Sequence, residues 1–237
     1  MDDERDRWAR LLAAAGPERG AQPLRICELC VETMSVTGAG IAIVTTVGHR
    51  GVVCATDAVS SAIEDLQLTL GEGPCVDAAS SGRPVLLPDF SDAADVGFDR
   101  WPAFTAAAAA AGVRAVFAFP LRVGAINVGV MDLYRDRPGD LSAAELPAAL
   151  MAADAAALAL LYLDVDGDDA FTDDPRSRAS YQLQVHQATG MVMAQTGVTI
   201  DQAFLMLRAR AFADDRPLAE LATDVVARRV RFSLEDE

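Results

Sequence analysis

Two runs of ten residues, 114-RAVFAFPLRV-123 and 126-INVGVMDLYR-135, meet at a Gly124-Ala125 turn. They are rich in β-branched and aromatic residues, and the glycine turn between them predicts a pair of neighbouring strands. Two shorter runs, 39-AGIAIVTTV-47 and 52-VVCATDA-58, flank a polar turn from Gly48 to Gly51 and predict a hairpin. The proline-flanked run 84-PVLLPDF-90 reads as an edge strand. Helical patterns lie before, between and after these strands. Ile26, Leu29, Cys30 and Met34 recur at helical spacing within 24–37. The polar stretch 61-SAIEDLQLTLG-71 and the stretch 101-WPAFTAAAAAAG-112, stopped by Gly112, are two more helices. A long helix is expected from about Ser142 to Leu163, opened by a capping box between Ser142 and Glu145. The predicted fold of this part is α+β, one antiparallel sheet with helices packed on it.

The pattern changes at 164-DVDGDDAFTDDPRSR-178, which is acidic, poor in apolar residues and broken by Gly167 and Pro175, as a linker is. Its aspartates resemble a calcium loop only superficially, because the glycine and the closing glutamate at ligand spacing are missing. Everything beyond it reads as helix. One helix covers roughly Arg178 to Gln195, a second opens on a capping box between Thr199 and Gln202, and a third starts at Pro217. Leu218, Leu221, Ala222, Val225 and Val226 form one apolar stripe on the third. Three short helices make a small core, so this unit is expected to lean on a partner. The chain thus divides into a helical extension over 1–22, an α+β domain over 23–163, a linker over 164–177 and an all-α domain over 178–237.

Charge sharpens the division. The formal net charge is -15, and an acidic protein does not bind nucleic acid through its overall field. Residues 176–231, however, carry 8 Arg against 5 Asp or Glu, a locally basic segment on an acidic body. All basic residues are Arg. The start MDDERDRW is too charged for a signal peptide, and the most apolar run, 141–163, is interrupted by Glu145, Pro147 and Asp154, so no membrane span is expected. Four cysteines without a leader point to reduced thiols in the cytoplasm.

Cys27 and Cys30 lie within a helical pattern and lack a second pair at ligand spacing, so they read as small hydrophobes rather than a metal half-site. Cys75 sits in a loop, where a thiolate is open to reaction, but no resolving cysteine is near in sequence. Two histidines, His49 and His186, leave little room for acid–base or metal chemistry, and no Ser-His-Asp, phosphate-loop or HExxH arrangement is present. No enzyme, metal or cofactor is expected.

Residues 178–232 resemble the ANTAR domain, a three-helix module of bacterial transcription antitermination regulators. The resemblance rests on Ala188-Thr189-Gly190 followed by Met191 and Met193, then Ala203-Phe204, Leu207-Arg208, Ala211, and the closing Leu218, Leu221-Ala222 and Val225-Val226. One departure is Thr189, where many family members carry a basic residue. Residues 24–163 resemble a GAF sensory domain through the strand pair, Gly71-Glu72-Gly73-Pro74-Cys75, Pro84-Val85-Leu86 before Pro88-Asp89, and Phe119-Pro120-Leu121 leading to Gly129-Val130-Met131. The order of the two looks like an actinobacterial arrangement.

These resemblances imply a signal-responsive RNA-binding antiterminator whose ANTAR part binds paired hairpins in transcript leaders. Ala188, Thr189, Gly190, Arg208, Arg210, Arg216 and Arg228 are the expected RNA-binding residues. The small Ala188 and Gly190 let a backbone approach, and arginine forks grip phosphate and stack on unpaired bases. Arg208, expected on the outer face of its helix, is the foremost. Arg228, Arg229 and Arg231 also suit the end of a helix by complementing its dipole. An effector pocket, if present, lies between the sheet and the segment around 71–100, with an apolar lining that includes Val85, Leu87, Phe119 and Met131. The helix at 142–163 carries Leu150, Ala153, Ala157, Leu160 and Leu161, more than one sheet face needs, and predicts a homodimer. The alternatives are a ligand-binding or protein-interaction dimer without RNA, and a Cys75-dependent reductase.

Overall fold

A computed structural model describes residues 23–44, 50–90, 100–124, 126–163, 178–214 and 216–233. The expected extension over 1–22 and the linker over 164–177 lie outside the described residues. The first domain runs α1 (Pro23–Thr33), β1 (Gly38–Val44), β2 (Arg50–Ala55), α2 (Ala58–Leu70), α3 (Pro74–Ser81), β3 (Val85–Leu87), α4 (Pro102–Ala110), β4 (Ala115–Val123), β5 (Ile126–Arg135) and α5 (Glu145–Leu163). The second is α6 (Arg178–Thr196), α7 (Ile200–Ala213) and α8 (Leu218–Val226). This is the α+β domain followed by an all-helical one that the sequence predicts. Among the described residues no helix is long and apolar enough to cross a membrane.

The strands form one sheet in the order β2-β1-β5-β4-β3, with every pairing antiparallel. The long runs at 114–123 and 126–135 pair along their length, Phe119 opposite Met131, and β5 also pairs with β1. The expected edge strand is there, shortened to three residues and paired with β4 alone. Successive strand residues point to opposite faces. On one face Ile41, Phe117, Phe119, Leu121, Met131 and Leu133 pack beneath α1 and α5. On the other, Val116, Tyr134, Ala118 and Val130 lie beneath α2, α3 and α4.

Helix boundaries follow local chemistry. Helix α2 starts three residues earlier than its apolar pattern suggests because the Asp57 carboxylate accepts the Ser60 N–H at 2.8 Å and caps it. Helix α3 occupies a stretch read from sequence as a loop. Pro74 sits in its first turn and Gly82 ends it in the left-handed region. Glu72, in the loop between α2 and α3, accepts the N–H groups of Ala103 and Phe104 at 2.8 and 2.9 Å, so its carboxylate serves the first turn of α4. Helix α7 has the predicted reciprocal box between Thr199 and Gln202.

Helix α5 lies on the sheet through alanines: Ala148, Ala149, Ala152, Ala153, Ala156, Ala157 and Ala159 are all buried. Ala153, Ala157 and Leu160, expected to pair with a second copy, are therefore inside the domain's own core. Leu150 and Leu158 remain on the outside at 42 % and 54 % exposure. The start of α5 is tied down by Glu145. Its carboxylate takes the N–H groups of Ser35 (2.7 Å) and Ser142 (2.8 Å) and the Arg135 guanidinium (3.0 Å). Arg135 also donates to the carbonyls of Gly139 and Asp140 and lies over the Phe117 ring.

Burial works against ionisation of Glu145, but the Ser142 and Ser35 N–H groups and the Arg135 charge outweigh it and hold the carboxyl down to about 2, against an ordinary 4.5. The resulting stabilisation is whole above the ordinary value and is lost as pH falls toward 2. Glu145→Gln is therefore expected to lower the unfolding free energy at pH 7 by about 2 kcal/mol. In urea melts the gap between parent and variant narrows at pH 3, and a gap that stays constant contradicts this account.

Candidate nucleic-acid interface

The three helices of the second domain close on Val185, Ala188, Val192, Ala203, Phe204, Leu207, Ala211, Leu218, Leu221, Ala222 and Val225. Leu68, from α2 of the first domain, belongs to the same cluster. The bundle thus leans on a partner, and the partner is its own N-terminal domain.

The expected RNA-binding residues fall into different settings. Ala188 and Thr189 are interior, at 0 % and 1 % exposure. They continue the buried stripe of Val185 and Val192, and the Thr189 hydroxyl donates to the Val185 carbonyl at 2.7 Å. Their surroundings are neighbouring helices, so the expectation that this pair meets RNA directly is corrected. Gly190 is half-buried, with open space where a side chain would stand.

Arg208 is half-buried and does not lie on a free outer face as expected. Its Nε donates to the Thr69 carbonyl of α2 at 2.9 Å, and its guanidinium lies 5.9 Å from the Phe204 ring centre. Arg210 is exposed and pairs with Asp214 at 2.8 Å. Arg216 reaches Asp224 at 2.7 Å and Glu220 at 3.8 Å. The other Asp224 oxygen takes Arg229 at 2.6 Å, and these two guanidinium groups hold its carboxyl below the usual range. Arg228 follows α8 in the left-handed region and is exposed, with no ion pair among the described residues.

The sequence reading missed an apolar line on the outside of α7. Leu205 and Phe212 are 60 % and 64 % exposed, with the exposed Ala209 between them and Arg208 alongside. The signal was present, since 205, 209 and 212 fall outside the buried positions 203, 204, 207 and 211. An exposed aromatic beside arginines suits stacking on unpaired bases.

The four residues expected to line one effector pocket fall on two faces of the sheet, and residues 91–99 of the expected wall lie outside the described residues. Val85 and Leu87 lie on the face covered by α2 and α4, whereas Phe119 and Met131 are fully buried on the opposite face beneath α1 and α5. The interior between α2, α3 and the sheet is polar at its centre. Ligand-type atoms of Glu64, Cys75 and Asp132, all buried, lie within 4.8 Å of one another. Gln67 binds this group together, donating to Asp132 at 2.6 Å and accepting the Cys75 N–H at 2.7 Å. A crevice too tight to admit a water molecule, walled by Ile63 and Val116 as well as by Ser60, Glu64, Asp132 and Tyr134, adjoins it.

No thiol is exposed. Cys75, expected in an open loop, is in the first turn of α3 at 1 % exposure. A contact with the Cys54 sulfur at 3.8 Å and burial push the Cys27 thiol up, and burial pushes Cys30 to about 12. Both are inert as nucleophiles at neutral pH.

Comparison with known proteins places both halves. Residues 24–161 match the GAF domain family and residues 176–226 match the ANTAR domain family. No curated protein matches the chain. Among solved structures, the GAF domain of an Acinetobacter phosphoenolpyruvate-protein phosphotransferase superposes with a TM-score of 0.53 at 11% identity, covering 71% of this chain and 99% of that one. The corresponding GAF domain from Coxiella burnetii gives 0.53 at 13% identity, covering 70% and 95%. At these identities the likeness shows the fold alone.

The interior group and the outer line predict opposite mutational behaviour. Gln67→Leu removes a buried donor from Asp132 and an acceptor from the Cys75 N–H, and is expected to cost about 2 kcal/mol in urea unfolding. Phe212→Ala, on the surface, is expected to change stability by less than about 0.5 kcal/mol. Equal melts for the two variants would contradict the placement of Gln67.

Proposed function

The chain belongs to the GAF domain family and carries an ANTAR domain behind it, and on that footing we propose that it is a cytoplasmic, signal-responsive transcription antiterminator that binds paired RNA hairpins. GAF and ANTAR domains are regulatory modules. The observation that carries the reading is the ANTAR match on a bundle whose surface combines arginines with an exposed apolar line that includes Phe212. Arg210, Arg216 and Arg228, with Gly190, form the outward contact set, and Arg208 joins it when free of Thr69. Ala188 and Thr189 serve by letting α6 pack closely.

The GAF domain supplies the signal. Its candidate responsive element is the buried polar group of Glu64, Cys75 and Asp132, whose surroundings are packed too tightly to hold an effector as they stand. Two copies associating through the outer face of α5, at Leu150 and Leu158, present two ANTAR bundles to two hairpins. Those exposed leucines equally favour the second reading, a protein-interaction dimer without RNA.

Binding of a synthetic tandem-hairpin RNA, followed by fluorescence anisotropy, is expected to weaken steeply with added salt, as phosphate contacts require. Arg208→Glu should lose at least tenfold in affinity, with a shallower salt dependence. Arg210→Glu should lose less, because Asp214 already engages that side chain. Parent and Arg208→Glu binding alike would sink the RNA-reading face.

A further inference from the structure

The docking of the two domains involves the residue on which the RNA reading leans most. We propose that the last turn of α2, residues 67–71, is a latch that holds Arg208 away from phosphate until that turn moves. The inference rests on the RNA-binding reading and adds its regulation.

The contact is built from both sides. Thr69 lies in the last turn of α2, where carbonyls lack partners within the helix and carry the negative end of its dipole. A guanidinium is suited to that position, and Arg208 Nε occupies it at 2.9 Å. Gly71 ends the helix with φ 68°, a left-handed cap that glycine adopts without strain. The Arg208 guanidinium lies directly over it, so a methyl group on that α-carbon would overlap the charged head. Leu68, in the same turn, is 4 % exposed and packs into the ANTAR core, which gives the seam an apolar half beside its hydrogen-bonded half.

The turn also faces inward. Gln67 holds Asp132 and the Cys75 N–H inside the GAF domain, and its carbonyl accepts the Gly71 N–H at 2.9 Å. One helical turn therefore touches the buried Glu64–Cys75–Asp132 group on one side and Arg208 on the other. A change of Gln67 partners inside shifts the carbonyl and glycine that seat Arg208 outside.

The carbonyl and an RNA phosphate compete for the same guanidinium. A phosphate carries a full charge and accepts two parallel hydrogen bonds, so it prevails once the seam is open. While the seam is closed, apparent RNA affinity is reduced by the open fraction. Gly71→Ala displaces the Arg208 head from the Thr69 carbonyl from the GAF side without altering any ANTAR residue.

The test uses the full chain, a fluorescent pool of tandem-hairpin RNAs with randomised loops, and small-angle scattering to follow domain separation. Gly71→Ala is expected to release Arg208 and bind about tenfold more tightly, whereas Leu68→Ala is expected also to expand the particle. Gly82→Ala imposes the same left-handed strain at the end of α3, where only Arg122 is near, at 3.8 Å, and should bind as the parent does. Leu68→Ala weakens the same seam by another route and should act in the direction of Gly71→Ala if the latter folds poorly. If Gly71→Ala and Leu68→Ala both bind as the parent does while Arg208→Glu still loses at least tenfold, the latch is wrong and the RNA reading stands. If parent, opened variants and Arg208→Glu all ignore the pool, the RNA reading fails and takes the latch with it.

Discussion

Strand β5 pairs along both edges and is covered on both faces, and this double burial governs where the domain keeps its polar groups. Leu133 and Met131 go under α1 and α5, while Val130, Asp132 and Tyr134 go under α2, α3 and α4. A carboxylate in the middle of such a strand is costly without hydrogen bonds. Gln67 supplies one from α2. The neighbouring strand makes the room: Gly40 lies opposite Asp132 and Gly38 opposite Tyr134. A β-carbon at Gly40 would sit 2.9 Å from the Glu64 carboxylate, so the acidic interior exists because β1 leaves that space empty.

What the sequence made legible is what local chemistry decides. The capping boxes at Ser142 and Thr199, the paired runs around Gly124 and the stripe on α8 all depend on residues a few positions apart. The effector lining was not legible for a related reason. Because β4 and β5 are apolar on both faces apart from Asp132 and the strand ends, the alternation that would separate Phe119 and Met131 from Val116 and Val130 disappears from the sequence. The Glu64–Cys75–Asp132 group draws on α2, α3 and β5, and the partner of Arg208 is a backbone carbonyl 139 residues away. Such contacts leave no trace in spacing. The ANTAR-like motif marked Ala188 and Thr189 as distinctive, but a motif does not say whether a residue faces in or out.

The charge count of the ANTAR segment also reads differently in three dimensions. Asp224 engages both Arg216 and Arg229, and Asp214 engages Arg210. Exposed ion pairs of this kind contribute little to stability. Their larger effect is on the surface potential, since each bound carboxylate cancels a cation at close range. Arginine number alone therefore overstates how basic the bundle is, and position along the surface matters more.

The alanine face of α5 has a further property. A step of four residues, about 6 Å along the axis, carries Ala148 onto Ala152 and then Ala156, and Ala149 onto Ala153 and then Ala157. Methyl groups raise only shallow ridges, so the face matches the sheet nearly as well one turn away as in place. Axial position must then be set by the groups that protrude from this ridge. Glu145 anchors one end to Arg135, and at the other the Leu160 side chain sits over Gly129, 3.1 Å from where a β-carbon would be. Leu146 and Met151 also pack against this core, so the helix is held in register by an ion pair, these two side chains and Leu160, to which the alanine ridge between them adds little.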